Sequence, residues 1–320
     1  MKTLLIGGGI ISDGLLKALG DSDVGRIRLR EVAAGDRNKL KLILDRCGVA
    51  DLIIYAAYHH ANLLLNIRVM HQVLRKLRRA GWKGRFVFLN TQAVLPDVLV
   101  SHLPLASPTW RCDLYSLTKR IQSGMLEKYT DALNISEIYL PVVIGEGTRW
   151  QERLQYIARH QRVALPSSGE NTFAYLDMQV FIRWLLSTAA IPKRGETKSQ
   201  LRRRMFVYEG VETFRGVLAR LRRQLTVDAL VIDDCHYSHS YGSGTKENLV
   251  WWLKLSVLGC ALFGARGLMR NRGPILDTET RSSNQGELIN AEFKPAGPEY
   301  RFFGMSIDMN RIKIPVEKIG

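Results

Sequence analysis

The chain has 320 residues, 46% of them hydrophobic and 24% charged, which is the mix of an ordinary globular protein and excludes a disordered, collagen-like or coiled-coil chain. The length fits one large domain, or a large domain with a smaller lobe. The 46 Lys and Arg against 30 Asp and Glu give a formal charge of +16, a surface suited to an anionic partner such as a nucleotide, an acidic membrane or nucleic acid. Cys47, Cys112, Cys235 and Cys260 lie far apart with no CxxC pair. That argues against a disulfide framework and a thiolate zinc site, and suits a reducing compartment, so a cytoplasmic location is expected.

The opening MKTLLIGGG has too short an apolar run for a signal peptide, and residues 3–9 read as a first strand ending in glycines. A helix from Ser12 to Leu19 follows. RIRLREV at 26–32 predicts a second strand, with Ile27, Leu29 and Glu31 on one face. Next come a helix around Asn38–Arg46, a buried strand DLIIYAA (51–57) and a helix from Ala61 to Ala80. In that last helix Leu63, Ile67, Met70, Leu74 and Leu77 recur at helical spacing and mark an apolar face. FVFLN (86–90) predicts a strand, 114–129 a helix and ISEIYLPVVIG (135–145) another strand. This alternation argues for an α/β fold: a Rossmann-type doubly wound parallel sheet covered on both faces. Residues 1–145 would form the dinucleotide-binding domain. Residues 146–320 would form a smaller, mostly helical substrate lobe that contributes back to the sheet.

Beyond Gly145 the rhythm loosens. Residues 149–160, 177–189 and 213–225 read as helices, 205–210 and 228–234 as strands, and 191–204 as a charged linker. The last 85 or so residues hold an apolar segment at 249–268, followed by weakly periodic Gly/Pro/Asn-rich sequence.

Two local signals carry chemistry. Gly7-Gly8-Gly9-Ile10-Ile11-Ser12 fits G-x-G-x-x-G with serine in the last place. Glycines there permit a tight turn and let a pyrophosphate approach the backbone, and the helix N-terminus supplies free N–H groups for it. Tyr115 and Lys119 form Y-x-x-x-K, one turn apart on one helix face. An ammonium beside a phenol lowers the phenol pKa from about 10 towards neutrality. Such a tyrosine can exchange a proton with an alcohol or carbonyl. Thr91, ending the strand FVFLN, stands where a sheet of this type presents active groups, and its hydroxyl could bind the same substrate oxygen.

This order of motifs resembles the extended short-chain dehydrogenase/reductase family, which contains nucleotide-sugar epimerases, dehydratases and keto-sugar reductases. The resemblance covers roughly residues 3–225. It takes in the glycine turn, Gly35-Asp36 before a helix, the alanine pair Ala56-Ala57 of DLIIYAA, Asn66, FLNTQAV, YSLTK, YLPVVIGEG and FAYLDMQV. It implies Thr91, Tyr115 and Lys119 as catalytic residues. It implies cofactor contacts from Gly7, Gly9, Ile10, Ile11, Ser12, Arg30, Asp36, Ala56, Ala57 and Lys119, and a homodimer paired through the helix of Tyr115. The short chain before Gly35-Asp36 is most like the deoxysugar-forming reductases. Pro141 and Val142 stand where the family is more polar. Gln92 and Ala93 replace the carboxylates that the dehydratases place after the threonine, so elimination of water is not expected.

Cofactor choice turns on the end of the second strand, where an acid binds the ribose of NAD and arginine accommodates the phosphate of NADP. Arg30 falls there, with Glu31 next and Arg28 two before, so NADP is expected ahead of NAD. The expected function is NAD(P)-dependent keto-reduction or epimerisation of a nucleotide-linked sugar. The alternative is a non-catalytic NAD(P)-binding sensor or a membrane-peripheral assembly subunit.

Other features have plainer readings. The basic run Arg68, Arg75, Lys76, Arg78, Arg79, Lys83 and Arg85 lies on the polar face of a core helix and lacks interleaved aromatics, which argues against nucleic acid. Residues 249–268 hold an uncharged run of only 11 residues, too short to span a bilayer. They read as a core helix, or as a flat contact with an anionic membrane. Cys235, His236 and His239 lack a second cluster to complete a metal site. His59 and His60 fall near the cofactor or substrate, and 145–147 reads as a turn.

Overall fold

A computed structural model of the chain describes residues 1–20, 24–29, 45–59, 62–95, 99–101, 114–189, 203–224, 231–234, 289–293, 303 and 305–320. The first half alternates strand and helix. It comprises β1 (Thr3–Ile6), α1 (Ile10–Leu19), β2 (Val24–Ile27), β3 (Leu52–Tyr55), α2 (Leu63–Arg79), β4 (Arg85–Thr91), β5 (Leu99–Ser101), α3 (Leu114–Glu127) and β6 (Asn134–Leu140). The second half mixes shorter pieces: β7 (Val142–Ile144), α4 (Arg149–Ala158), β8 (His160–Leu165), β9 (Thr172–Asp177), α5 (Met178–Ala189), β10 (Arg204–Tyr208), β11 (Gly210–Thr213) and α6 (Phe214–Gln224). Four strands complete the described residues: β12 (Val231–Asp234), β13 (Ile289–Phe293), β14 (Met305–Ile307) and β15 (Val316–Lys318).

Seven strands form one parallel sheet in the order β2–β1–β3–β4–β6–β10–β15. This is the Rossmann-type α/β architecture, and side-chain alternation explains its two covered faces. Leu4, Ile6, Ile53, Tyr55, Phe86 and Phe88 point to one face and are buried under α2 and α3. Leu5, Leu52, Ile54, Val87 and Leu89 point to the other and are buried under α1 and α5. Fully burying each Leu, Ile or Phe contributes about 1.5–3 kcal/mol, so the continuous apolar strands are what the sheet rests on. Gly14 lets α5 approach α1: a Cβ there would sit 2.5 Å from Ile182 Cδ1.

Residues beyond 145 rejoin this sheet through β10 and β15, while α5 covers it. The rest of that half packs around α4 and α6, where Leu154, Ile157, Val163, Leu165, Phe173, Phe214 and Leu218 form a separate core. Phe173 and Phe214 stack there at 4.4 Å between ring centroids. Three small sheets, β11–β9–β7, β12–β8–β13 and β14–β5, edge it.

Several boundaries differ from those the sequence predicts. The strand expected over 135–145 breaks at Pro141, which has no N–H for a ladder, and β7 turns away to pair with β9. The helix expected over 149–160 stops at Ala158, and His160 opens β8. The second strand, expected over 26–32, runs from Val24 to Ile27, so Arg28 is the first residue past its end. Among the described residues no helix is long and apolar enough to cross a membrane. The 249–268 segment lies outside them.

Candidate active site

The glycine turn sits where the strand order reverses. β1 is flanked by β2 on one side and β3 on the other, and the crevice at their carboxyl ends is where open α/β sheets bind ligands. The Gly7 N–H bonds the Ile27 carbonyl at 2.9 Å, and the Ala56 N–H bonds the Ile6 carbonyl at 2.8 Å. A Cβ on Gly7 would lie 2.7 Å from Ser12 Oγ, 3.2 Å from the Ala56 carbonyl carbon and 3.3 Å from the Ala57 nitrogen. Ser12, Ala56 and Ala57 therefore close around Gly7, which has room for no larger residue.

Gly9 is the N-cap of α1, and no side chain caps that end. The N–H groups of the first turn, including those of Ile10, Ile11 and Ser12, lack intrahelical acceptors and form the positive end of the helix dipole. Gly8 and Gly9 are exposed, and a Cβ on Gly9 would meet nothing within 4 Å. Bare backbone, free N–H groups and an uncapped helix start fit the pyrophosphate of a dinucleotide. Arg30 and Asp36 lie outside the described residues. Arg28, the first residue past β2, lies along the glycine turn: a Cβ on Gly8 would come within 3.1 Å of its Cγ.

Thr91 ends β4, two strands from β1, and its Oγ1 accepts a hydrogen bond from the Ala93 N–H at 3.3 Å. The short turn of 92–94 that follows packs against α3, which also lies on β4. That packing brings the helix of Tyr115 and Lys119 to the strand end of Thr91. Lys119 is 3% exposed, donates from Nζ to the Leu89 carbonyl at 3.0 Å and lies 4.7 Å from the centroid of the Phe88 ring. Its Nζ is 5.9 Å from the centroid of the Tyr115 ring. Burial pulls its pKa down to about 7, with the Glu137 carboxylate pulling the other way. Tyr58, just past β3, meets the Tyr115 ring edge-on at 4.6 Å.

Asn66 holds the loop after β3 in place. It is fully buried, accepts from the His59 N–H at 2.8 Å and donates to the His59 carbonyl at 3.0 Å. His59 Nδ1 accepts from the Asn62 N–H at 3.0 Å, so its ring shapes this loop. Gln122 of α3 donates to the Asn66 carbonyl at 3.2 Å and ties the loop to the Tyr115 helix. His60, Cys235, His236 and His239 lie outside the described residues. Residues 145–147 form a turn in which Gly145 and Gly147 have φ of 125° and 73°, and Thr148 caps α4 by accepting from the Gln151 N–H at 3.2 Å. At the other end of α2, His71, Arg75, Arg78, Arg79 and Tyr129 line a cavity of about 380 Å³. Cations in the last turn of a helix complement its dipole, which accounts for that basic cluster.

No protein-family model and no curated protein matches the sequence. Solved structures do. A dTDP-4-dehydrorhamnose reductase from Clostridium acetobutylicum superposes with a TM-score of 0.53 at 12% identity, over 73% of this chain and 84% of the other. A GDP-mannoheptose C4 reductase from Campylobacter jejuni with NADP bound gives 0.54 at 11% identity, over 79% and 98%. A UDP-glucose 4-epimerase from Thermus thermophilus in complex with NAD gives 0.52 at 14% identity, over 84% and 98%. The chain has the fold of these nucleotide-sugar enzymes.

The sequence does not single out Tyr58, Gln122 or Glu137 as part of this region. Glu137 carried a signal, since an acid in the middle of the apolar run ISEIYL is either exposed or partnered, and here it is 2% exposed.

Proposed function

We propose that the chain is a nicotinamide-dependent oxidoreductase or epimerase of the extended short-chain dehydrogenase/reductase family, acting on a nucleotide-linked sugar. The observation that carries this reading is Lys119: a buried ammonium fixed to the strand of Thr91, one helical turn from Tyr115, at the sheet edge that also holds the glycine turn. When bound, the nicotinamide would supply the hydride acceptor or donor. Tyr115 would take the proton from a substrate hydroxyl or give it to a carbonyl at its phenol oxygen. Lys119, when charged, would lower the cost of the phenolate. Thr91 would hold the reacting oxygen. Gly7, Gly9 and the first-turn N–H groups at Ile10, Ile11 and Ser12 would hold the pyrophosphate, with Ala56 and Ala57 lining the crevice.

Keto-reduction or epimerisation is favoured over dehydration because Gln92 and Ala93, both buried, follow Thr91 where a carboxylate would be needed to assist loss of water. NADP is favoured over NAD by the position of Arg28 against the glycine turn, since a guanidinium pairs well with a ribose phosphate. Residues 1–145 would bind the dinucleotide and 146–320 would carry the sugar specificity. The positive surface would draw in a doubly charged nucleotide diphosphate.

The test is a screen of 4-keto and 4-hydroxy nucleotide sugars with NADPH, NADH and their oxidised forms, run beside Tyr115→Phe. Turnover that disappears in the variant while dinucleotide binding persists supports the reading. Dinucleotide binding without turnover on any sugar nucleotide would favour a binding or sensing role instead.

A further inference from the structure

The underside of α3 is a polar stripe laid on an apolar sheet. Tyr115, Lys119, Ser123 and Glu127 succeed one another at intervals of four, so they share one side of the helix. Beneath them runs a polar row across three strands. Glu137 of β6 is in register with Phe88 of β4 on one side and Arg204 of β10 on the other, and Asn90 is in register with Tyr139. Phe88, over whose ring Lys119 lies, is therefore the immediate neighbour of Glu137, and their side chains leave the same face.

Glu137 receives donors from two neighbouring strands. Asn90 Nδ2 gives a bond of 2.7 Å to Oε1 and Arg204 Nε a bond of 3.0 Å to Oε2. Asn90 then accepts from the Thr91 N–H at 2.9 Å through its own Oδ1. Glu127 at the end of α3 accepts from Arg204 Nη2 at 2.6 Å. The helix of Tyr115 is thus fastened to a row whose centre is one buried carboxylate.

An ion pair of Glu137 with Arg204 alone would be a poor reason for burying an acid, because desolvation commonly cancels the attraction. Arg204 also reaches solvent and has a second acid in Glu127. Lys119 needs a counter-charge more: it is the deeper cation, and its Nζ donates to the uncharged Leu89 carbonyl. We propose that Glu137 is a positioning residue whose buried carboxylate holds Lys119 in its charged form, and through Asn90 fixes the strand end that carries Thr91. The proposal rests on the reading of Tyr115 and Lys119 as the proton-transfer pair. Among the groups that titrate or carry charge, Tyr115 lies beside Lys119 on its own helix and Glu137 of β6 acts on it from the sheet. Glu137 acts on it most directly: burial lowers the Lys119 pKa and Glu137 opposes that fall.

The experiment is NMR titration of the full chain labelled at lysine Cε, with the Lys119 signal assigned through Lys119→Met. Glu137→Gln keeps the shape and removes the charge. It should lower the Lys119 midpoint by about one pH unit or more, as loss of a nearby counter-charge does. Arg204→Gln removes a competing cation and should raise the midpoint, and it decides the matter should Glu137→Gln not fold. An unmoved or oppositely moved midpoint in the folded variant overturns the proposal. A titration of the same wild-type sample with NADPH and NADH separates the two ideas. A Lys119 shift with no dinucleotide binding sinks the enzyme reading and leaves the coupling standing, whereas binding without a shift does the reverse.

Discussion

The Lys119 ammonium donates to the carbonyl oxygen of Leu89 at 3.0 Å, two residues before Thr91 ends the same strand. One side chain thereby fixes the spacing between the helix that carries Tyr115 and the strand that carries Thr91. It does so at a cost, because burying a lysine penalises its charged form.

That cost gives a pH signature in stability. Burial brings the Lys119 pKa to about 7 from an ordinary value near 10.5. Between those two values the unfolded chain binds more protons than the folded one, so stability rises with pH. The contribution is fully recovered above the unfolded value and is lost as pH falls through about 7. Lys119→Met should be more stable than wild type at pH 6 by on the order of a few kcal/mol, with the gap closing towards pH 10. Urea denaturation of both proteins across that range checks it, and parallel curves would contradict it.

Tyr115→Phe removes the proton-transfer atom and leaves the ring to pack edge-on against Tyr58. Turnover on any accepted sugar nucleotide should fall by about 100-fold to 10,000-fold, the usual share of general acid–base catalysis. Melting temperature and dinucleotide affinity should hold. A comparable loss of dinucleotide affinity would mean that the phenol serves binding.

Gly7→Ala inserts a methyl group against Ser12 Oγ and the Ala56–Ala57 backbone. Overpacking of this kind costs about 1–3 kcal/mol, because two of the three obstacles are backbone atoms that cannot swing away. Gly9→Ala meets nothing within 4 Å and should leave stability nearly unchanged. Equal destabilisation of the two, by thermal or urea unfolding, would mean that the turn has another geometry.

Arg28→Ala should weaken NADPH binding by about 10- to 100-fold, the worth of a charge-assisted contact to phosphate, and leave NADH nearly unchanged. Nicotinamide fluorescence titrations give both affinities. Parallel losses would assign Arg28 to the pyrophosphate or to the turn itself.

The sheet was legible where apolar strands and amphipathic helices repeat on a regular beat: TLLI, LIIY and the Leu63–Leu77 stripe each announce their element. Gly7 and Ser12 were readable because their motif follows a strand and opens a helix, and Ala56 and Ala57 came only through the family resemblance. The seventh strand was not, since Val316–Lys318 is three residues long, alternates with charge, and takes its place only by pairing with β10. The ends of β2 went astray because Arg26 and Arg28 flank Ile27 and look like the polar half of an alternating strand, which a terminus does not reveal. Glu137 stood in the apolar run ISEIYL with no partner legible nearby. Its role depends on Asn90, Arg204 and Lys119, which come from three other elements and meet only after folding.

The most direct test of the account is saturation binding of NADPH and NADH by the purified wild-type chain and by Tyr115→Phe, read by nicotinamide fluorescence, with circular dichroism on the same samples. The account predicts saturable binding, tighter for NADPH, and equal in the two proteins. No saturable binding of either dinucleotide by a demonstrably folded chain would contradict it.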